Sequence, residues 1–146
     1  MRMFRAMEAS ASALTAERLR MDLIANNLAN INTTRTAEVG PYRRRYAVVE
    51  ERQESFANVL AQQVGRPAEP GMGVRVAQIA EDQAPFKEVY DPNHPDADAN
   101  GIVRLPNVDM LQEITDMMMA TRVYEANLTA FNAAKSMALR ALEIGR

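Results

Sequence analysis

The chain has 146 residues with 17 basic and 19 acidic side chains, a net charge of −2 that excludes the strongly basic surface of a nucleic-acid binder. It holds no cysteine, which removes disulfides, thiolate metal sites and cysteine nucleophiles together. No apolar run of about 18 residues is available to span a membrane, and the first residues lack the compact apolar block and small-residue cleavage site of a secretory signal.

Met1 to Val39 contains neither Gly nor Pro, so a long helix is expected to open the chain. Steps of three and four residues join Phe4, Met7, Ala11, Leu14, Arg18, Met21, Ala25 and Leu28 into a seam broken only by Arg18. Ile24 and Ile31 widen it, while Glu17, Arg20 and Asp22 supply a solvated face. The helix should fade over residues 25–34, because Asn competes for backbone hydrogen bonds and tolerates the conformation that ends helices. Asn26, Asn27, Asn30 and Asn32 fall there, spaced so that several could share one face and bond a neighbouring backbone; a frayed helix end is the plainer reading.

Gly40 and Pro41 close this section, and Tyr42-Arg43-Arg44-Arg45-Tyr46 leads into a strand at Ala47-Val48-Val49. Glu50 and Glu51 follow at once, so the arginines read as a solvated strand face or a subunit contact. Residues 52–72 carry a short helical pattern, Phe56, Val59, Leu60 and Val64, punctuated by Gly65, Pro67, Pro70 and Gly71, as in a flexible insertion. Further strands are expected at 73–80, 86–90 and 101–105, the last stopped by Pro106.

Asp96, Asp98, Asn100 and Gly101 match the opening of a calcium loop, but Asn107 stands where a bidentate Glu belongs, and Pro92 and Pro95 preclude the entering helix. A proline-restrained turn is the expectation, with no metal. His94, the single histidine, reads as a turn residue.

Val108 to Ile144 is again free of Gly and Pro, room for a second long helix with Asn107 as cap, Asp109, Glu113 and Asp116 suiting its positive end, and Gly145 as C-cap. One seam runs through Met110, Ile114, Met117, Thr121, Tyr124, Leu128, Phe131, Lys135, Ala138 and Leu142. Ala120, Val123, Asn127, Ala130, Ala134, Met137, Ala141 and Ile144 form another beside it, and two adjacent seams are wider than one partner helix covers. Ten methionines and no tryptophan describe an adaptable apolar surface.

The segment from Ser12 through Ala25-Asn-Asn-Leu-Ala-Asn-Ile-Asn-Thr-Thr34 resembles the N-terminal motif of the bacterial flagellar rod and hook proteins. Thr34-Arg35-Thr36, where that motif usually continues to Gly-Phe, followed by Gly40-Pro41-Tyr42-Arg43-Arg44, is similar to proximal rod members. The likeness continues through Val89 to Pro92, His94 to Asp98, Asn100-Gly101, Pro106 to Asp109, Ala120-Thr121-Arg122, Tyr124-Glu125-Ala126-Asn127 and Ala133 to Arg146, but not through residues 46–72.

The resemblance implies a structural subunit of the periplasmic rod that transmits torque from the motor ring to the hook. It implies passage through the flagellar type III export apparatus without a cleaved signal, and helical assembly with copies of itself, other rod proteins and a rod-ring adaptor. It implies no cofactor and no direct insertion into the membrane. Asn26, Asn27, Asn30, Asn32, Thr33, Tyr124, Glu125 and Asn127 would carry the family motif. The expected fold is mainly α, with long N- and C-terminal helices paired as an antiparallel coiled coil and a small antiparallel β region between them. Residues 1–36 and 107–146 would form the helical rod core, and 37–106 the middle domain. Phe4 would face Leu142 and Ile31 would face Met110, leaving outer apolar stripes for adjacent subunits.

Two other readings stay open: a generic coiled-coil adaptor and a calcium-regulated module. No nucleophile, base and orienting group converge in the sequence, and no phosphate-binding glycine loop is present, so an enzyme is not expected.

Overall fold

A computed structural model describes residues 2–37, 40–52 and 73–144. Helix α1 spans Arg2–Ala29, strand β1 Arg45–Glu51, β2 Val74–Glu81, β3 Lys87–Tyr90 and β4 Ile102–Leu105, and helix α2 spans Met110–Ile144. The chain is mainly α with a small β content, as expected. The proposed C-cap Gly145 and most of the insertion, with Phe56, Val59, Leu60 and Val64, lie outside the described residues.

The asparagines end α1. The Asn30 amide is shared between the carbonyls of Asn26 and Asn27, and Ile31 and Thr33 continue in tight turns. At the start of α2, Asn107 is not the cap. Asp109 takes that place, its carboxylate accepting the amides of Leu111 at 2.9 Å and Gln112 at 3.2 Å. Those two hydrogen bonds, Gln112 first, hold the exposed Asp109 carboxyl below the usual carboxylate range. Asn107 is turned to the strands instead: its side chain accepts the Arg44 amide at 2.9 Å and donates to the carbonyls of Asp82 and Ala84.

The β region is two separate two-stranded sheets rather than one element, β1 with β2 and β3 with β4. Asp82 N to Arg44 O and Arg52 N to Gly73 O flank the first pair and mark it antiparallel. In the second pair Lys87 faces Leu105 and Tyr90 faces Ile102. Val103 is buried, whereas all four residues of β3 are exposed. The turn between β3 and β4 is built by short side chains. Asp98 accepts the amides of Ile102 and Asn100, which lower its carboxyl in that order, and Asp91 accepts the Asn93 amide. Gly101 sits at φ +74°, where a Cβ would come within 3.0 Å of the Tyr90 ring.

Two compact units divide the chain. The first comprises residues 1–18, 48–78 and 121–146, the second 19–47 and 79–120. Among the described residues, the buried apolar side chains of the first unit are Ala16 and Ala134 alone. Its best-defined contact holds the root of β2. Ser12 Oγ accepts the Val74 amide at 3.1 Å, and Gly73, at φ +100°, lies so close to α1 that a Cβ would overlap Ser12 Oγ. Arg52 pairs with Glu8 beside it at 3.2 Å. The second unit buries Leu23, Ile24, Tyr42, Val103, Val108 and Ala120, a core with large side chains.

Candidate assembly surface and the polar cluster behind it

In the second unit a buried polar cluster joins three distant parts of the sequence. Asn27, near the end of α1, is 1% exposed, and Glu113, in the first turn of α2, is fully buried. Asn27 Nδ2 donates to Glu113 Oε2 at 3.0 Å and to the Arg45 carbonyl at 2.9 Å, while Asn27 Oδ1 accepts the Arg45 amide and the Tyr42 hydroxyl, both at 3.0 Å. Every polar atom of the amide is thereby used, which is what a buried Asn requires. Arg44 Nε donates to the other Glu113 oxygen, and its Nη2 donates to Asp116 at 3.1 Å. Arg20 reaches the same Asp116 at 3.8 Å. Burial raises the Tyr42 hydroxyl above the usual phenol range, against the opposing pull of Arg45.

These contacts revise three expectations. Asn27 alone among the four asparagines is buried, holding a neighbouring backbone as foreseen; Asn26 and Asn30 donate to carbonyls one turn back on their own helix, and Asn32 is exposed. Arg44 is an inward ion-pair partner rather than part of a solvated face. Arg43 lies over Phe86 at 4.4 Å, and Arg45 pairs with Glu81 at 3.1 Å. Glu113 and Asp116 neutralise Arg44 inside the unit, a role beyond favouring a helix end. Arg44 and Glu113 were missed as a pair because they stand 69 positions apart; the only local signal was two acids three apart in the first turns of a helix.

The remaining motif residues are placed as follows. Thr33 donates to Asn30 Oδ1, and its carbonyl accepts the Tyr42 amide. Thr34 donates to Asp96 at 2.7 Å and Arg35 pairs with the same carboxylate at 2.6 Å, so the Thr-Arg-Thr stretch is bound to the proline-rich turn. His94 Nδ1 accepts the Asp96 amide in that turn. Asp96 and Asp98 are thus committed to contacts within the chain, and no group of three metal-ligating side chains comes together among the described residues. Tyr124 and Asn127 are half-buried on α2, and Glu125 is exposed.

The helices present the apolar surface. On α1, Ile24 is buried and Met7, Leu14, Met21 and Leu28 are half-buried, as is Ile31 in the turn beyond it, but Phe4 is 70% exposed. On α2 the inward side follows Glu113, Met117, Ala120, Tyr124, Asn127, Phe131, Ala134 and Ala138, all buried or half-buried. This line runs between the two seams read from the sequence and takes members of both. Met110, Ile114, Leu128 and Leu142 on one side of it, and Met119, Val123 and Met137 on the other, are each more than two-fifths exposed. No helix among the described residues is long and apolar enough to cross a membrane.

The family profile described as flagella basal body rod protein matches residues 7–35, and that described as flagellar basal body rod FlgEFG protein C-terminal matches residues 99–144. The flagellar basal-body rod protein FlgC of Bacillus subtilis is 48% identical over 147 aligned residues that cover 98% of each chain. FlgC of Borreliella burgdorferi is 41% identical over 99% of this chain and 98% of its own, and FlgC of Salmonella typhimurium 39% identical over 92% of each. With identity at this level running from one helix through both sheets to the other, the chain belongs to the FlgC family of flagellar basal-body rod proteins.

Proposed function

We propose that this chain is a structural, non-enzymatic subunit of the proximal rod, exported through the flagellar type III apparatus into the periplasm. There it assembles helically with copies of itself and other axial proteins and transmits torque from the motor ring to the hook. The observation that carries the assembly is the contrast between buried and exposed apolar residues: among the described residues of the first unit the fully buried apolar side chains are two alanines, while Phe4, Leu128, Met137 and Leu142 are open to water. Side chains of that size are sheltered when neighbouring subunits pack on them.

In this reading α1 and α2 pair antiparallel as a coiled coil. Arg20 meets Asp116 and the later Asn27 meets the earlier Glu113, an order that supports opposed directions. The buried cluster fixes the register of the pair, the use for which buried polar groups in helical packing are best attested. The outer residues then remain for partners.

The test is replacement of the native chain by Leu128→Asp. Leu128 is 42% exposed, so the variant should keep wild-type helicity by circular dichroism. It should nevertheless be missing from purified basal bodies, and the cells should not swim, because the carboxylate would be buried against a neighbour. Leu28→Asp should also abolish incorporation. Normal swimming with both variants would refute the reading.

A further inference from the structure

We propose that an arginine-lined cavity of the second unit takes the carboxylates of a short acidic segment from a neighbouring rod protein; the inference rests on the rod reading above. The cavity, of about 480 Å³, is bounded chiefly by Tyr42, Arg43, Arg45, Glu81, Phe86 and Arg104, and none of its described lining residues lies on α1 or α2. It follows from the alternation of an extended chain. Arg44 turns inward to Glu113, so Arg43 and Arg45 on either side of it turn to the opposite face. Asn27 holds Arg45 by its amide and carbonyl, which ties this wall to the buried cluster.

Arg43 is half-buried, yet among the described residues its guanidinium has no carboxylate partner. Its Nη1 donates to the Asp82 carbonyl at 3.1 Å and its plane lies over the Phe86 ring at 4.4 Å, contacts that fix its orientation while using one of its five N–H donors. A cation held rigid in this way without a counter-charge is a preformed anion site, and its planar fork suits a carboxylate. Arg104 Nε stands 3.8 Å from Glu88, beyond hydrogen-bond reach, so it also keeps donors for a ligand. Arg45 gives Nε and Nη2 to a single Glu81 oxygen. Three guanidiniums against the one carboxylate of Glu81 leave the described lining with two excess positive charges, in a chain of net charge −2.

The surrounding charges select the occupant. Glu81 and Glu88 stand exposed beside the arginines and repel a long polyanion such as nucleic acid or an anionic membrane surface, whereas one or two carboxylates reach the guanidiniums between them. The cavity is also larger than a small inorganic anion needs, and Tyr42 and Phe86 give it aromatic surface that a peptide covers.

The lack of a carboxylate beside Arg43 permits a clean crosslinking test. Arg43→Lys keeps the charge and puts an amine in the cavity, where a guanidinium cannot be acylated. Purified basal bodies carrying the variant are treated with a carbodiimide: it activates a carboxylate, the amine attacks that carbonyl to form an amide, and the activating group leaves as a urea. A crosslink from position 43 to an Asp or Glu of another polypeptide is expected, and none at that position in the native chain. No crosslink from variant recovered in basal bodies, or one only within the same chain, would overturn the proposal.

A titration of the full-length chain decides the matter should Arg43→Lys fail to incorporate. Acetylated tetraglutamate, tetralysine and inorganic phosphate are added in turn at fixed ionic strength, and the arginine Nε–H resonances are followed by NMR. Tetraglutamate should move the Arg43 and Arg104 signals saturably and tetralysine should not. Arg43→Gln should weaken tetraglutamate binding by about tenfold or more, whereas Arg75→Gln, which removes the same charge from an exposed pair with Glu50, should not. Equal binding by Arg43→Gln and the native chain, equal weakening by Arg75→Gln, or phosphate binding as tight as tetraglutamate would each overturn the proposal. Absence of the unaltered chain from basal bodies would instead refute the rod reading itself.

Discussion

Glu113 has no exposed surface and is held by both Asn27 and Arg44, so its removal leaves a guanidinium and an amide in the interior short of partners. Glu113→Ala should therefore destabilise the second unit by about 3–5 kcal/mol, read as the urea midpoint followed by circular dichroism. Asn27→Ala should cost at least about 1–3 kcal/mol by orphaning the backbone of Arg45 and the Tyr42 hydroxyl. Because the two residues share a hydrogen bond, the double variant should lose less than the sum of the singles, by about 0.5–3 kcal/mol. Additive losses would show that the cluster does not act as a unit. None of this is visible in residue type: Asn27 sits among three other asparagines, and only the folded chain singles it out.

The caps and turns belong to the scale of elements, and there pH is the probe. Asp109 and Asp98 are lowered by hydrogen bonds from backbone amides, so each favours the fold while ionised. Their contribution is present above the ordinary carboxylate range and is lost as pH falls through the lowered folded values. Asp109→Asn keeps an oxygen for the helix amides but does not titrate. The variant should keep α2 and show a shallower loss of helicity on acidification, and an unchanged acid profile would refute the assignment of the cap. Gly73 marks another element boundary. Gly73→Ala adds a methyl against Ser12 at a φ that L-residues avoid and should cost on the order of 1–3 kcal/mol, with faster exchange of the Val74 amide as the local sign. The helices and the strands were legible from Gly and Pro spacing and from apolar periodicity. Asn107 and Asp109 are both good cap residues two positions apart, and which of them caps α2 depends on which one the strand ends engage.

For the whole molecule, the two units should differ in solution. Amides near Leu23, Asn27, Val103 and Glu113 should exchange slowly in the isolated chain, where large side chains and the polar cluster surround them. Amides near Phe4 and Leu142 should exchange fast and gain protection on assembly; strong protection of both in dilute monomer would contradict ordering by neighbours. The sequence by itself determined the two uninterrupted helices, the strands, the proline-rich turn and the likeness to rod proteins, because each is written in local spacing or in contiguous motif. It also showed that α2 has more apolar surface than one partner covers. Only the tertiary structure decided which stripe turns inward, since periodicity fixes the angles between side chains around a helix but not the direction from which a neighbour arrives. It alone joined Asn27, Arg44 and Glu113, because burial and hydrogen-bond satisfaction depend on residues far apart in the chain.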